Sequence, residues 1–134
     1  MRGVDGSTHE VTPRDLARFA RHDTVVSAHH VTGRFSGVAL ADLLTIVHAP
    51  VGDSLRGPAL RTYVRIEGAD GYAVLLTLAE LDASFTDRIA ILADRKDGAP
   101  LAAKDGPYQL IIPGDKRPAR WVRQVVLISL ERAR

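Results

Sequence analysis

Apolar and polar residues alternate strictly in the middle of the chain, over residues 60–66. In an extended strand, one face would contain Leu60, Thr62, Val64 and Ile66, and the other face would contain Arg61, Tyr63 and Arg65. A period of two is typical of a half-buried strand. Asp70 and Gly71 then give a hairpin turn signal, so residues 72–77 are predicted to form the return strand.

Two other stretches have the spacing of helices. Thr12, Pro13 and Asp15 form a helix start, because threonine caps, proline suits the first turn and an acid there favours the helix dipole. We expect this helix to run to about residue 21. Between residues 38 and 47, apolar side chains recur every three or four positions, which predicts a helix that ends before Pro50.

The remaining apolar segments are short and are separated by turn residues. Their composition predicts strands at residues 24–31, 89–93, 108–112 and 121–130, a loop at 33–37, a helical turn at 78–81 and a tight turn at 96–98. Strands outnumber helices, and tight turns join many of them. We therefore predict one α+β domain with a mixed sheet over residues 1–134.

Composition narrows the class of protein. With 46% hydrophobic residues, 25% charged residues and a net charge of +2, the chain is typical of a soluble globular domain. It has no cysteine, which excludes disulfides and thiolate metal sites. Apolar runs are too short to span a membrane. The N-terminus lacks an apolar signal core, which predicts the cytoplasm if that end is native and the periplasm if a leader was removed.

His29 and His30 are the first candidates for a chemical role. Adjacent residues on a regular strand point to opposite faces, so this pair is not expected to chelate one metal, and at most one of the two faces a pocket. The other histidines lack ligand spacing. No metal site is predicted from these residues.

The segment 113–121 is the strongest candidate for ligand binding. It places Lys116, Arg117 and Arg120 between two apolar strands and ends on Trp121. A stiff cationic loop beside an aromatic ring suits a phosphate or pyrophosphate attached to a ring system. A solvated surface turn is an equally good interpretation of the pattern alone. A single short basic cluster and a low net charge argue against nucleic-acid binding.

Five blocks in sequence order resemble the molybdopterin-binding domain of sulfite-oxidase-like proteins, and together they cover about residues 16–130. The blocks are Phe35-Ser36-Gly37-Val38-Ala39-Leu40-Ala41-Asp42-Leu43-Leu44, Asp70-Gly71-Tyr72 with Leu78-Ala79-Glu80-Leu81, Ile91-Leu92-Ala93-Asp94 with Asp97-Gly98-Ala99-Pro100-Leu101, Gly106-Pro107-Tyr108-Gln109-Leu110-Ile111-Ile112-Pro113-Gly114, and Arg120-Trp121-Val122.

The resemblance implies a sulfite-oxidase-like fold and a molybdenum–pterin cofactor used to move an oxygen atom or electrons. Arg120 stands where the family has a lysine that helps to hold the pterin phosphate, and Trp121 follows as in the family. Asp105 and Gln109 stand where catalytic members often have histidine and arginine. The metal-ligating cysteine, expected near residues 28–30, is missing.

Two functions follow from this comparison. The first is a molybdopterin-binding oxidoreductase, or a subunit of one, with reduced activity. The alternative is a non-catalytic binding module for another anionic ligand or for a protein partner. The residues expected to bind the cofactor or ligand are His29, His30, Arg34, Tyr72, Asp105, Lys116, Arg117, Arg120 and Trp121.

Overall fold

A computed structural model describes residues 1–28 and 30–134, and its strands form two sheets. The first sheet contains β1 (Arg21–Ala28), β2 (Val31–Ala39), β5 (Ile91–Lys96), β6 (Ala99–Pro100) and β7 (Gln109–Ile111), in the order β1-β2-β5-β6 with β7 also beside β5. The second has the order β4-β3-β8 and contains β3 (Thr62–Gly68), β4 (Ala73–Thr77) and β8 (Val125–Arg132). All pairings between these strands are antiparallel.

The helices are few and short. They are α1 (Pro13–Ala17), α2 (Leu40–Leu44) and several 3-10 turns. Two antiparallel sheets with short helices agree with the expected α+β class. The expected mixed sheet was wrong, because the described strands pair only antiparallel and divide into two sheets. Among the described residues, no helix is long and apolar enough to cross a membrane.

The hairpin of β3 and β4 forms where the alternating pattern predicted it. Thr62, Val64 and Ile66 are buried, whereas Arg65 on the other side is exposed. Gly71 at the turn has φ of +87°, a left-handed conformation that glycine adopts without steric cost. Leu60 departs from the pattern, because it lies in a 3-10 turn before the strand and is exposed.

The prediction of a loop at residues 33–37 was wrong, since these residues lie within β2. The strand pairs with β1 on one side and β5 on the other, and these contacts override the turn preference of the glycines. Gly37 is needed there, because a Cβ at this position would lie 2.0 Å from the carbonyl oxygen of Leu92.

Both predicted helices exist, and both are shorter than expected, since α2 follows the end of β2 at Ala39 and passes into a 3-10 turn over Thr45–Val47. The helix α1 begins with a capping box in which Thr12 Oγ1 accepts from the Asp15 amide and the Asp15 carboxylate accepts from the Thr12 amide. It ends at Ala17, because β1 begins at Arg21. In α2, the apolar residues Leu40, Leu43 and Leu44 are fully buried against the sheets.

Candidate functional site

Trp121 is the centre of the candidate site. The sequence pattern predicted that the last strand begins at this residue, but β8 starts at Val125 and Trp121 follows a 3-10 turn over Pro118–Arg120. The side chain is only 4% exposed. Its buried Nε1–H has no hydrogen-bond partner, and among the described residues the only other buried side-chain polar atom in this state is Thr62 Oγ1. A buried donor without an acceptor is costly, so an acceptor brought to this N–H would be stabilising.

A cleft of about 350 Å³ opens beside this indole, and we call it the Trp121 cleft. It collects residues that are far apart in the sequence, from the β1–β2 turn to the segment before β8. The lining residues are His30, Val31, Phe35, Lys96, Lys104, Asp105, Gln109, Pro118, Trp121 and Arg123.

The charged groups of the cleft are mainly positive. Three permanent cations, Lys96, Lys104 and Arg123, oppose one carboxylate, Asp105. Arg123 Nη1 lies 3.9 Å from the Asp105 carboxylate, and both side chains are partly exposed, so this pair contributes little stability and neutralises only one cation. The cleft is therefore electropositive and suits an anion.

Backbone and side-chain contacts hold the residues at the rim of the cleft in place. The Asp105 carbonyl oxygen accepts from the Gln124 amide at 2.8 Å, which ties the cleft wall to the start of β8. Lys96 ends β5, and its ammonium lies 5.6 Å from the centre of the buried Phe35 ring, a cation–π distance. Gln109 is buried in β7, with its amide nitrogen 3.5 Å from the Trp121 carbonyl oxygen.

His30 lies in the turn between β1 and β2, with φ of +74°. The strand expected at residues 24–31 ends at Ala28, so the argument from a regular strand does not apply to this histidine. His30 lines the Trp121 cleft. The prediction for His29 falls outside the described residues.

Tyr72 lies on the opposite side of the same segment. It borders a smaller depression of about 250 Å³ that shares Pro118, Trp121 and Arg123 with the cleft. The Tyr72 hydroxyl donates to the Ala119 carbonyl oxygen at 2.5 Å. This bond connects the β3–β4 turn to the segment that positions the indole.

Arg120 is placed differently from the neighbouring tryptophan. Its Nε and Nη2 atoms donate to the two Asp115 carboxylate oxygens at 3.1 and 2.9 Å, and Nη1 lies 3.5 Å from Glu80. The hydrogen bonds that Arg120 donates to the Asp115 carboxylate raise the pKa of Arg120 above its usual value. Arg120 lines a separate groove with Arg88 and Leu76 and does not line the Trp121 cleft.

The predicted residues thus divide into two groups. His30, Asp105 and Trp121 meet in the cleft, and Tyr72 adjoins it. Arg34, Lys116 and Arg117 are exposed and do not line it.

Lys96, Lys104 and Arg123 were missed by sequence reasoning. Lys96 stands in a turn motif that predicted only a hairpin, and the other two lie outside the quoted motifs. The antiparallel pairing of β2 and β5 and the bond between Gln124 and Asp105 position the segments that carry them.

A larger groove of about 640 Å³ lies between α2 and the loop at residues 82–89. Its buried carboxylate, Asp82, already accepts from the Gly52 amide at 3.0 Å and from Ser84. These bonds, led by the one from Ser84, lower the pKa of Asp82. The groove thus has no buried polar group that calls for a ligand, in contrast to the Trp121 cleft.

No group of three or more histidine, aspartate or glutamate residues within 1–28 and 30–134 is arranged to hold a metal ion. No protein-family profile matches this chain, and no curated protein is significantly similar to it.

Proposed function

We propose that this chain is a binding domain of the sulfite-oxidase molybdopterin-binding type, whose Trp121 cleft takes a small anionic molecule carrying a ring. The observation that carries the proposal is the buried Trp121 Nε1–H, without an acceptor in the described part of the chain, beside a mainly positive rim. Nε1 has almost no solvent-exposed surface in this structure, so a ligand oxygen or ring nitrogen would satisfy this donor by a local shift of the indole toward the cleft. The cleft volume of about 350 Å³ is at the lower end of the range for small-molecule sites.

The residues of the cleft fit the organic part of a molybdopterin cofactor. Lys104 and Arg123 would hold the phosphate, Trp121 Nε1 would donate to an acceptor on the ring system, and the Asp105 carboxylate would accept from a ring amine. Arg120 supports the site indirectly, because its ion pair with Asp115 fixes the loop that leads to Trp121.

The same residues do not fit a molybdenum centre of the family's type. The family binds the metal through a cysteine thiolate, and this chain contains no cysteine. A neutral histidine nitrogen does not reproduce the charge and softness of a thiolate. We therefore favour the binding module over the oxidoreductase, and we derive no redox step.

The single tryptophan makes binding directly measurable. Titration with pyrophosphate, a phosphorylated pterin and an unphosphorylated pterin, followed by Trp121 emission, is expected to give the strongest saturable change for the phosphorylated pterin. Lys104→Ala and Arg123→Ala should weaken binding severalfold and flatten its salt dependence. The matched control is Arg14→Ala, which removes an exposed cation on α1 that does not line the cleft. If none of the three probes alters the emission, the proposal fails.

A second variant tests the unpaired indole donor itself. Trp121→Phe keeps an aromatic ring but lacks the N–H, and calorimetry should show affinity lower by about 0.5–1.5 kcal/mol. Unchanged affinity would contradict the role given to Nε1.

Extraction of protein produced in a host that makes molybdopterin, followed by metal and pterin analysis, distinguishes the binding module from the oxidoreductase. Bound molybdenum in stoichiometric amount would restore the oxidoreductase alternative.

A further inference from the structure

The strand β1 is an edge of the first sheet that pairs only with β2. Its register is continuous from Arg21 opposite Val38 to Ala28 opposite Val31, without a bulge. No backbone hydrogen bond within 1–28 and 30–134 reaches its outer side. An eight-residue edge of this kind offers a row of free N–H and C=O groups to another strand.

The other sheet edges are protected or shorter. The outer side of β8 is covered by Arg2, which accepts from the Leu130 amide and donates to the Ile128 carbonyl at 2.8 and 2.9 Å. The Leu110 amide of β7 is bound by the Val122 carbonyl oxygen. In the second sheet, the edge strand β4 has five residues, and the Glu80 carboxylate accepts from the amide of its last residue, Thr77, at 2.9 Å. The strand β6 has only two residues, and one is a proline, which has no N–H.

The charged residues of β1 do not protect it in the same way. Arg21 binds Asp94 of the neighbouring β5 at 2.6 and 2.9 Å, and the Asp23 carboxylate accepts from Ser36 of β2 at 2.5 Å. Both charges are thus held toward the interior of the sheet. Residues 24–28 are uncharged, and Thr24, Val25 and Val26 are β-branched residues with a high preference for strands.

Val25 is the most exposed of the large apolar side chains in the described chain, at 70%. It lies on the solvent side of β1, whereas Val26 and Ala28 face the core. Edge strands usually carry a charged side chain at a central, exposed position, which prevents pairing with another strand. In β1 this position is occupied by the uncharged Val25.

We propose that β1 is a self-association edge, which pairs antiparallel with β1 of a second copy about a two-fold axis at Val25. This register places Val25 opposite Val25, Thr24 opposite Val26, and Asp23 opposite Ser27. No like charges face each other, and the two valines shield each other from water. A two-fold arrangement satisfies both edges at once and closes the assembly, which is the commonest symmetry of soluble oligomers.

None of the β1 residues, Arg21–Ala28, lines the Trp121 cleft. The proposal therefore stands apart from the proposed ligand, and each can fail without the other.

Mass measurement by light scattering or sedimentation, on the full chain, tests the association. The wild type is expected to have twice the mass of one chain over a wide concentration range. Val25→Lys, at an exposed position, should halve the mass without unfolding the protein. The matched control is Leu75→Lys on the shorter edge strand β4, where the wild-type leucine is also exposed, at 57%, and where the mass should stay that of the wild type. A wild-type chain that stays monomeric at all concentrations overturns the proposal.

The absence of native cysteine allows a direct test of the register. Opposed residues of antiparallel strands have Cα atoms about 4.5–5.5 Å apart, within the range of a disulfide. Under mild oxidation, Val25→Cys should therefore become a covalent dimer. Ser27→Cys, on the same face of the same strand, should remain largely unlinked because it faces residue 23 of the other copy. Equal linkage of both variants, or linkage of Ser27→Cys alone, would refute the Val25-centred register.

Discussion

The guanidinium of Arg120 binds both carboxylate oxygens of Asp115, at 2.9 and 3.1 Å, and so closes the loop that precedes Trp121. Two parallel hydrogen bonds fix the orientation of the planar guanidinium as well as its position. A residue that the family resemblance assigned to phosphate binding therefore has a local structural partner in this chain.

Replacing Arg120 by alanine is expected to lower the free energy of unfolding by about 1 kcal/mol at most, because the arginine is partly exposed and screened by solvent. The loss should decrease at high salt. Urea unfolding at two ionic strengths measures both effects. Arg117→Ala removes an exposed cation of the same loop and serves as the control. Equal losses for the two variants would mean that the ion pair with Asp115 contributes nothing specific.

The hydrogen bond from Tyr72 to the Ala119 carbonyl predicts a coupling between the β3–β4 turn and the indole. Tyr72→Phe removes this bond and should lower stability by about 0.5 kcal/mol, since the tyrosine is half exposed. Acrylamide should then quench Trp121 more strongly. Tyr63→Phe, within β3, makes the same chemical change away from the cleft. Increased quenching in the Tyr63 variant alone would contradict the coupling.

The hydrogen bonds of the Asp15 carboxylate predict that the stability of the fold decreases in acid. The Thr12 amide, followed by His9, lowers the pKa of Asp15 to about 2. Because the folded pKa is below the unfolded value, this carboxylate stabilises the fold above about pH 4, and the contribution is lost as pH falls toward 2. Urea unfolding from neutral to acidic pH should show this decline.

The matched variants for this measurement are Asp15→Asn and Asp87→Asn, the second at an exposed loop position. Asp15→Asn should be less stable than wild type at neutral pH, and the two should converge in strong acid. The Asp87→Asn curve should follow that of the wild type. A constant difference between Asp15→Asn and wild type at all pH values would assign the effect to packing instead.

The close approach of β5 to Gly37 predicts that a single added methyl group lowers the stability of the protein strongly. An alanine Cβ there would lie 2.0 Å from the Leu92 carbonyl oxygen, so β2 and β5 would have to separate. Gly37→Ala is expected to cost about 3 kcal/mol or more, at the upper end of overpacking changes. Gly33→Ala, in the same strand, meets mainly the flexible end of the Lys96 side chain and should cost much less. Thermal unfolding of both variants gives the comparison.

The sequence identified the elements whose residues carry a clear local signal. The capping box of Thr12 and Asp15, the apolar spacing of α2 and the alternation in β3 each depend on residues close together in the chain. The loop expected at residues 33–37 is the opposite case. Its glycines signal a turn, but pairing with strands on both sides holds them extended.

The site shows the same division. Trp121 and the neighbouring cations could be selected from sequence, because proline, glycine, charge and an aromatic residue occur within nine positions. The direction in which each side chain points could not be predicted from sequence, since Arg120 and Trp121 are adjacent and yet line different cavities.

The sequence by itself determined the α+β class, the positions of the two helices and the segment around Trp121, because these depend on composition and on contacts between near neighbours. Only the tertiary structure decided how short the helices are, and that Lys96, Lys104 and Arg123 line the cleft beside the indole while Arg120 is bound to Asp115. The physical reason is that these contacts come from strand pairing and from one bidentate ion pair. The positions of the residues along the chain do not indicate that they meet.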